Sequence, residues 1–151
     1  MTHSPLISIL MPLYNTQDYV AEAIESILKE TYPHFELLIC NDGSTDRSLE
    51  IAQNYEKKDS RITVFNHTKN SGRVSKVIKF LEEQASGKYL IVSDSDDVAH
   101  KNRLEILVNA IESTPNASMV YGMVEAVSFD LNTHKHFYNS PFSIFELFKG
   151  N

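Results

Sequence analysis

The sequence lacks the features that direct a chain into a membrane, onto a nucleic acid or out of the cell. Cys40 is the single cysteine among 151 residues, so no internal disulfide can form and a reducing compartment is expected. It ends the apolar run Leu37-Leu38-Ile39-Cys40, which marks a buried thiol rather than a nucleophile. No apolar stretch approaches the roughly 20 residues of a bilayer span, and the first residues carry no signal-peptide apolar core. The expectation is a cytoplasmic chain with no membrane span, peripheral attachment to the inner face of the membrane being left open. Asn66-His-Thr and Asn116-Ala-Ser match the glycosylation sequon, which has no meaning without secretion. There is no basic run: 14 Lys and Arg stand against 20 Asp and Glu, a net charge of −6, and nucleic-acid binding is not expected. No repeat, linker or low-complexity segment divides the chain, so one domain over 1–151 is expected.

What is present begins with an ordinary soluble composition, 42% hydrophobic and 23% charged. Residues 88–97, Lys-Tyr-Leu-Ile-Val-Ser-Asp-Ser-Asp-Asp, organise the rest. Tyr89 to Val92 form a short apolar, β-branched run, the pattern of a buried strand. It runs into three carboxylates, Asp94, Asp96 and Asp97, whose mutual repulsion costs stability unless a cation neutralises them. The end of a strand in an open α/β sheet is also where ligands bind. Taken alone, these residues leave a solvated acidic turn open as the alternative.

Along the chain, strand and helix patterns alternate. Leu6 to Met11 read as a strand closed by Pro12, with Asn15 and Thr16 as candidate caps of a first helix. Val20, Ile24, Ile27 and Leu28 line one face of that helix, which should stop at Tyr32 before Pro33. Phe35 to Cys40 give a second strand, ended by the turn pair Asp42-Gly43, and Ser44 or Thr45 can cap a second helix. A third strand covers Ile62 to Phe65. Val74, Val77, Ile78, Leu81 and Ala85 then make the clearest helical stripe. Leu104, Leu107, Val108 and Ile111 mark a fourth helix ending near Pro115, and Ser118 to Val124 a fifth strand. Glu125 to Phe129 and His134 to Tyr138 flank a hairpin turn at Asp130 to Thr133. The alternation predicts an α/β fold, a mostly parallel Rossmann-like sheet flanked by helices, with its polar strand ends collected along one edge.

Six segments occur in order over the first hundred residues: Ser8-Ile-Leu-Met-Pro-Leu-Tyr-Asn15, Ile27-Leu-Lys-Glu-Thr-Tyr-Pro33, Phe35 to Asp46, Arg61-Ile62, Asn70-Ser-Gly72 and Gly87 to Asp97. Together they closely resemble the nucleotide-binding half of family 2 glycosyltransferases. The resemblance implies the glycosyltransferase A-type fold, a nucleotide-diphosphate-sugar donor, a divalent cation (Mn²⁺ or Mg²⁺) and inverting transfer of a sugar to a glycan or related acceptor in polysaccharide synthesis. By the same resemblance, Asp94 lies near the ribose, Asp96 or alternatively Asp97 holds the metal, and Asp42 accepts a hydrogen bond from the nucleobase imide. That last role favours a UDP-sugar. Pro12 and Tyr14 wall the base, Asn15 completes the first motif of the nucleotide site, and Arg73 falls near a basic position facing the nucleotide.

The chain departs from the family pattern in three places. Asn41 stands where a first acid is common, Val74-Ser-Lys-Val-Ile replaces the usual small-residue and Arg-Asn pattern, and Phe148-Lys-Gly-Asn151 looks like the beginning of the segment leading to the acceptor half. The general base and the acceptor-binding half are therefore expected beyond Asn151. His134 and His136 read as a half-exposed hairpin rather than a metal pair. His100 reads as a surface residue at a helix start, and Asp46 as serving the first turn of the second helix. The stripe Phe142 to Phe148 reads as core or interface. Two other functions compete with the transferase. A non-catalytic nucleotide-sugar-binding module shares every feature named above, whereas a receiver-type signalling domain needs an acidic pair after the first strand that Met11 to Asn15 do not supply.

Overall fold

The computed structural model describes residues 4–122 and the two strands 124–127 and 134–137. The elements run β1 (Ile7–Leu13), α1 (Val20–Leu28), β2 (Phe35–Asp42), α2 (Ser48–Glu56), β3 (Ile62–His67), α3 (Val74–Gln84), β4 (Tyr89–Val92), α4 (Arg103–Ser113), β5 (Val124–Val127) and β6 (His134–Phe137). Two compact units divide after Ile106. In the first, four parallel strands lie in the order β3-β2-β1-β4. In the second, β5 and β6 pair antiparallel, Val124 opposite Phe137 and Val127 opposite His134. No helix among the described residues is long and apolar enough to cross a membrane.

The sheet is covered on both faces, which is why β1 and β2 read as continuous apolar runs rather than alternating ones. On one face Leu10, Leu38 and Cys40 pack with Val77 and Leu81 of α3. Residues of the other parity, Ile9, Met11, Leu37 and Ile39, are equally buried. Pro12 sits inside central strand β1, paired with Cys40. Proline is tolerated there because the β1–β4 ladder ends at Leu10 and Leu10 already turns its carbonyl toward Ser93, so the missing N–H falls on the side where β4 has run out.

Several boundaries differ from expectation, each for a local reason. α1 stops at Leu28 rather than Tyr32, because Glu30 turns its carboxylate to Arg103 and Thr31 donates its N–H to Lys101. Neither Asn15 nor Thr16 caps α1 through its side chain: the Thr16 carbonyl accepts from Tyr19 and Val20, and the Asn15 carboxamide is drawn to Thr45. α2 is likewise not capped by Ser44 or Thr45, since Asp46 accepts from the Ser48 N–H. Residues 118–122 carry no strand. Met119 and Tyr121 are exposed there, so the apolar run had no buried face to define it as one. The hairpin pairing is present as β5–β6, while its turn at Asp130 to Thr133 and the stripe Phe142 to Phe148 lie outside the described residues.

Candidate functional site

The carboxyl ends of β1, β2 and β4 open into one cleft of about 410 Å³. It is lined by Pro12, Leu13, Tyr14 and Thr16 from the first strand, Asp42 from the second, Asn70 to Val77 in part, and Asp94, Ser95 and Asp96 from the fourth. Six of the eight residues singled out from sequence meet there: Pro12, Tyr14, Asp42, Arg73, Asp94 and Asp96. Asn15 and Asp97 stand beside the cleft without lining it.

The β2 side is held by hydrogen bonds. Asp42 is only 6% exposed, and its two oxygens accept from the Ser71 N–H at 2.9 Å and the Ser71 hydroxyl at 2.8 Å. A carboxylate has about four lone-pair positions, so two remain for a ligand. Gly43 permits this approach: its φ is +72°, and a Cβ there would lie 2.6 Å from the Asn70 nitrogen. Asn15, itself left-handed at φ 52°, accepts from the Thr45 N–H and donates its own N–H to Ser44 Oγ, tying the β1 loop to the β2 loop. Tyr14 remains 47% exposed, an aromatic face at the mouth of the cleft. Among the described residues, the Arg73 guanidinium makes no hydrogen bond or ion pair.

The β4 side differs. Asp94, Asp96 and Asp97 are exposed, and their carboxylates have no partner among the described residues. Burial, then the charges of Asp94 and Asp96, push the Asp97 carboxyl above its ordinary value against the opposing pull of Arg103. Among the described residues no three acidic, histidine or cysteine side chains converge as a complete metal cage. Mg²⁺ and similar hard cations are commonly held by one or two carboxylates plus substrate phosphates, and the oxygen donors Asp94 and Asp96 on the cleft wall fit that pattern. His100 is exposed and off the cleft, accepting from the Asn102 N–H at the approach to α4. Asp46 serves α2 as expected. Burial alone would raise its carboxyl, but hydrogen bonds from Ser48 and Gln17 prevail and lower it.

The family model for glycosyl transferase family 2 matches residues 8–150. The chain belongs to that family. Within it, the chain is 37% identical over 119 residues to the glycosyltransferase GlyG of Streptococcus pneumoniae, covering 79% of this chain and 39% of GlyG. It is 43% identical over 101 residues to TuaG of Bacillus subtilis, a glycosyltransferase assigned to teichuronic acid biosynthesis, covering 67% of this chain and 40% of TuaG. Crystalline S. aureus TarS 1-349 in complex with UDP superposes with a TM-score of 0.66 at 27% identity, over 78% of this chain and 38% of that one. This family member thus spans about two fifths of the length of the relatives it matches. The fold expected from the sequence, a mostly parallel α/β sheet of the glycosyltransferase A type, is the one these structures share.

Sequence reasoning missed the partners of the site residues. In sequence Ser71 reads only as part of Asn70-Ser-Gly72, and its clamp on Asp42 has no signal of its own. Thr16 and Ser95, whose hydroxyls meet at 3.0 Å across the cleft floor, are 79 positions apart. Val74, the first residue of Val74-Ser-Lys-Val-Ile, stands at the cleft wall, 57% exposed.

Proposed function

We propose that this chain forms the donor-binding part of an inverting, metal-dependent glycosyltransferase that uses a UDP-sugar in polysaccharide synthesis. The observation that carries the reading is that one cleft brings together the buried carboxylate of Asp42, the aromatic face of Tyr14, Arg73 and the exposed carboxylates of Asp94 and Asp96. Asp42 has two free lone-pair positions beside Tyr14 and accepts an imide N–H, which uracil has and cytosine lacks. Pro12 and Tyr14 flank the flat ring, Asp94 reaches the ribose, and Arg73 faces the diphosphate. Asp96, with Asp97 next in line, holds Mn²⁺ or Mg²⁺. When bound, the cation neutralises the negative charge that builds on the diphosphate as the sugar leaves. All four aspartates are thereby engaged on the donor side, and none is assigned to take the acceptor hydroxyl's proton. The UDP complex of TarS and the assignment of TuaG to teichuronic acid synthesis support the donor and the pathway class.

The test is a thermal-shift comparison of UDP, CDP and GDP with and without Mn²⁺. UDP should protect most, and more strongly with Mn²⁺. Asp42→Asn should weaken UDP about tenfold, the worth of a hydrogen bond to a charged acceptor, and leave Mn²⁺ binding in place. Equal protection by UDP and CDP would remove the role of Asp42, and no protection by any diphosphate would remove the donor site.

A further inference from the structure

The acidic loop between β4 and α4, residues 94–102, is held at both ends by one side chain. Arg103 donates through Nε and Nη2 to Glu30 Oε1, at 3.1 and 2.7 Å, and through Nη1 to Ser93 Oγ at 3.2 Å. Ser93 immediately precedes the loop and Arg103 immediately follows it. Glu30 has no exposed side-chain surface, and its second oxygen accepts the Leu104 N–H at 2.7 Å. Three further bonds fasten the loop to α1 and its flanks: Ala99 N–H to Ser26 Oγ, Thr31 N–H to the Lys101 carbonyl, and Thr16 to Ser95.

A buried ion pair is a poor device for stability alone, since well-packed apolar side chains serve about as well. A planar fork bonded on two sides to fixed acceptors is a good device for geometry. We infer that Glu30 and Arg103 are positioning residues, which set Asp96 in place for a divalent cation by fixing both flanks of the loop that carries it. This rests on the reading of the acidic loop as the cation site.

Charge and geometry predict opposite signs, which makes the inference testable. Arg103 is a cation whose field reaches Asp97, so deleting it by charge alone should tighten Mn²⁺ binding. Loss of positioning should weaken it, by about ten- to a hundredfold if Arg103 behaves as outer supports of metal sites do. The experiment is calorimetric titration of the folded chain with Mn²⁺ in the presence of saturating UDP, for wild type, Arg103→Lys, Arg103→Met and Ser93→Ala. Ser93→Ala removes one hydrogen bond from a small buried residue and guards against a variant that fails to fold. Thr31→Ala, which loses only the hydroxyl bond to Glu105, is the control for general loosening. The expected result is weaker Mn²⁺ binding in both Arg103 variants, a few-fold weakening in Ser93→Ala, and none in Thr31→Ala. Unchanged or tighter Mn²⁺ binding in folded Arg103→Met and Ser93→Ala would overturn the inference. If wild type binds no Mn²⁺, or Asp96→Ala binds it equally well, the cation reading itself fails instead.

Discussion

The two acidic walls of the cleft are built on opposite principles. At the end of β2, Asp42 is buried and both oxygens are occupied by Ser71, with Gly43 letting the Asn70 loop come against it. At the end of β4, Asp94, Asp96 and Asp97 are exposed, mutually repulsive and without partners among the described residues, while their support is buried behind them in Glu30 and Arg103. The first wall is fixed in place without a ligand, and two carboxylate lone-pair positions of Asp42 are left over. The second is complete in its scaffold and incomplete in its charge, and so it suits a mobile cation delivered with a diphosphate. A rigid acceptor reads a base, whereas a carboxylate cluster in excess of cations recruits one.

The sharpest way to break the first wall is Gly43→Ala. The new Cβ would meet backbone, 2.6 Å from the Asn70 nitrogen and 2.9 Å from the Lys69 carbonyl carbon, on a residue at φ +72°. Left-handed strain and backbone overlap together should cost about 3 kcal/mol, read as a lower urea midpoint, and UDP protection should fall with it. Gly72 has the same φ of +72° but nothing within 4 Å of a Cβ. Gly72→Ala should therefore cost only about 1 kcal/mol, the left-handed penalty alone. Equal losses at the two glycines would mean that the approach of the two loops does not matter.

The second wall should respond in the reverse sense. Asp96→Ala removes a charge that raises Asp97 and breaks no hydrogen bond among the described residues, so the metal-free fold should gain a few tenths of a kcal/mol. The same change should abolish the extra UDP protection that Mn²⁺ confers. A variant that is less stable without metal, or that keeps its Mn²⁺ response, would show that Asp96 is structural and would move the ligand role to Asp97.

What was legible in the sequence follows the same division. The strands and helices of the first unit could be read because their burial is periodic and local: Val77 and Leu81 lie one helical turn apart, and β1 and β2 carry the apolar runs Ile9 to Leu13 and Leu37 to Cys40. Pro12, Tyr14, Asp42, Asp94 and Asp96 were legible because they lie at strand ends that a parallel sheet must bring together, whereas Arg73 followed from the family resemblance alone. Illegible were contacts that depend on three-dimensional register. Glu30 and Arg103 are 73 positions apart, and nothing in either neighbourhood marks them as a pair. The end of α1 was misplaced for that reason, since Pro33 allows a helix up to Tyr32 and it is the reach of Glu30 to Arg103 that ends it earlier. The strand expected at 118–124 failed because an apolar run does not name its partner.

Cys40 offers the smallest effect and a measure of how closed the first wall is. It lies in β2 two positions before Asp42, its sulfur fully buried and 3.6 Å from His67 Nδ1. Burial, and then the charge of Asp42, push its thiol up to about 11 from an ordinary 9.0. A raised value in the fold means that the folded chain holds the proton more tightly than the unfolded one. The resulting stabilisation is complete below pH 9.0 and is lost as pH rises through about 11, because only the unfolded thiol ionises within that window. Wild type should therefore lose about 1 kcal/mol more than Cys40→Ala between pH 8 and pH 10, measured by urea unfolding. Iodoacetamide should label native Cys40 only at the rate of unfolding below pH 9. Asp42→Asn should shift both curves slightly downward in pH, since it deletes the second cause and leaves the first. Rapid labelling of the native thiol at pH 8 would mean that the β2 wall opens on its own, and that the difference between the two walls is one of degree.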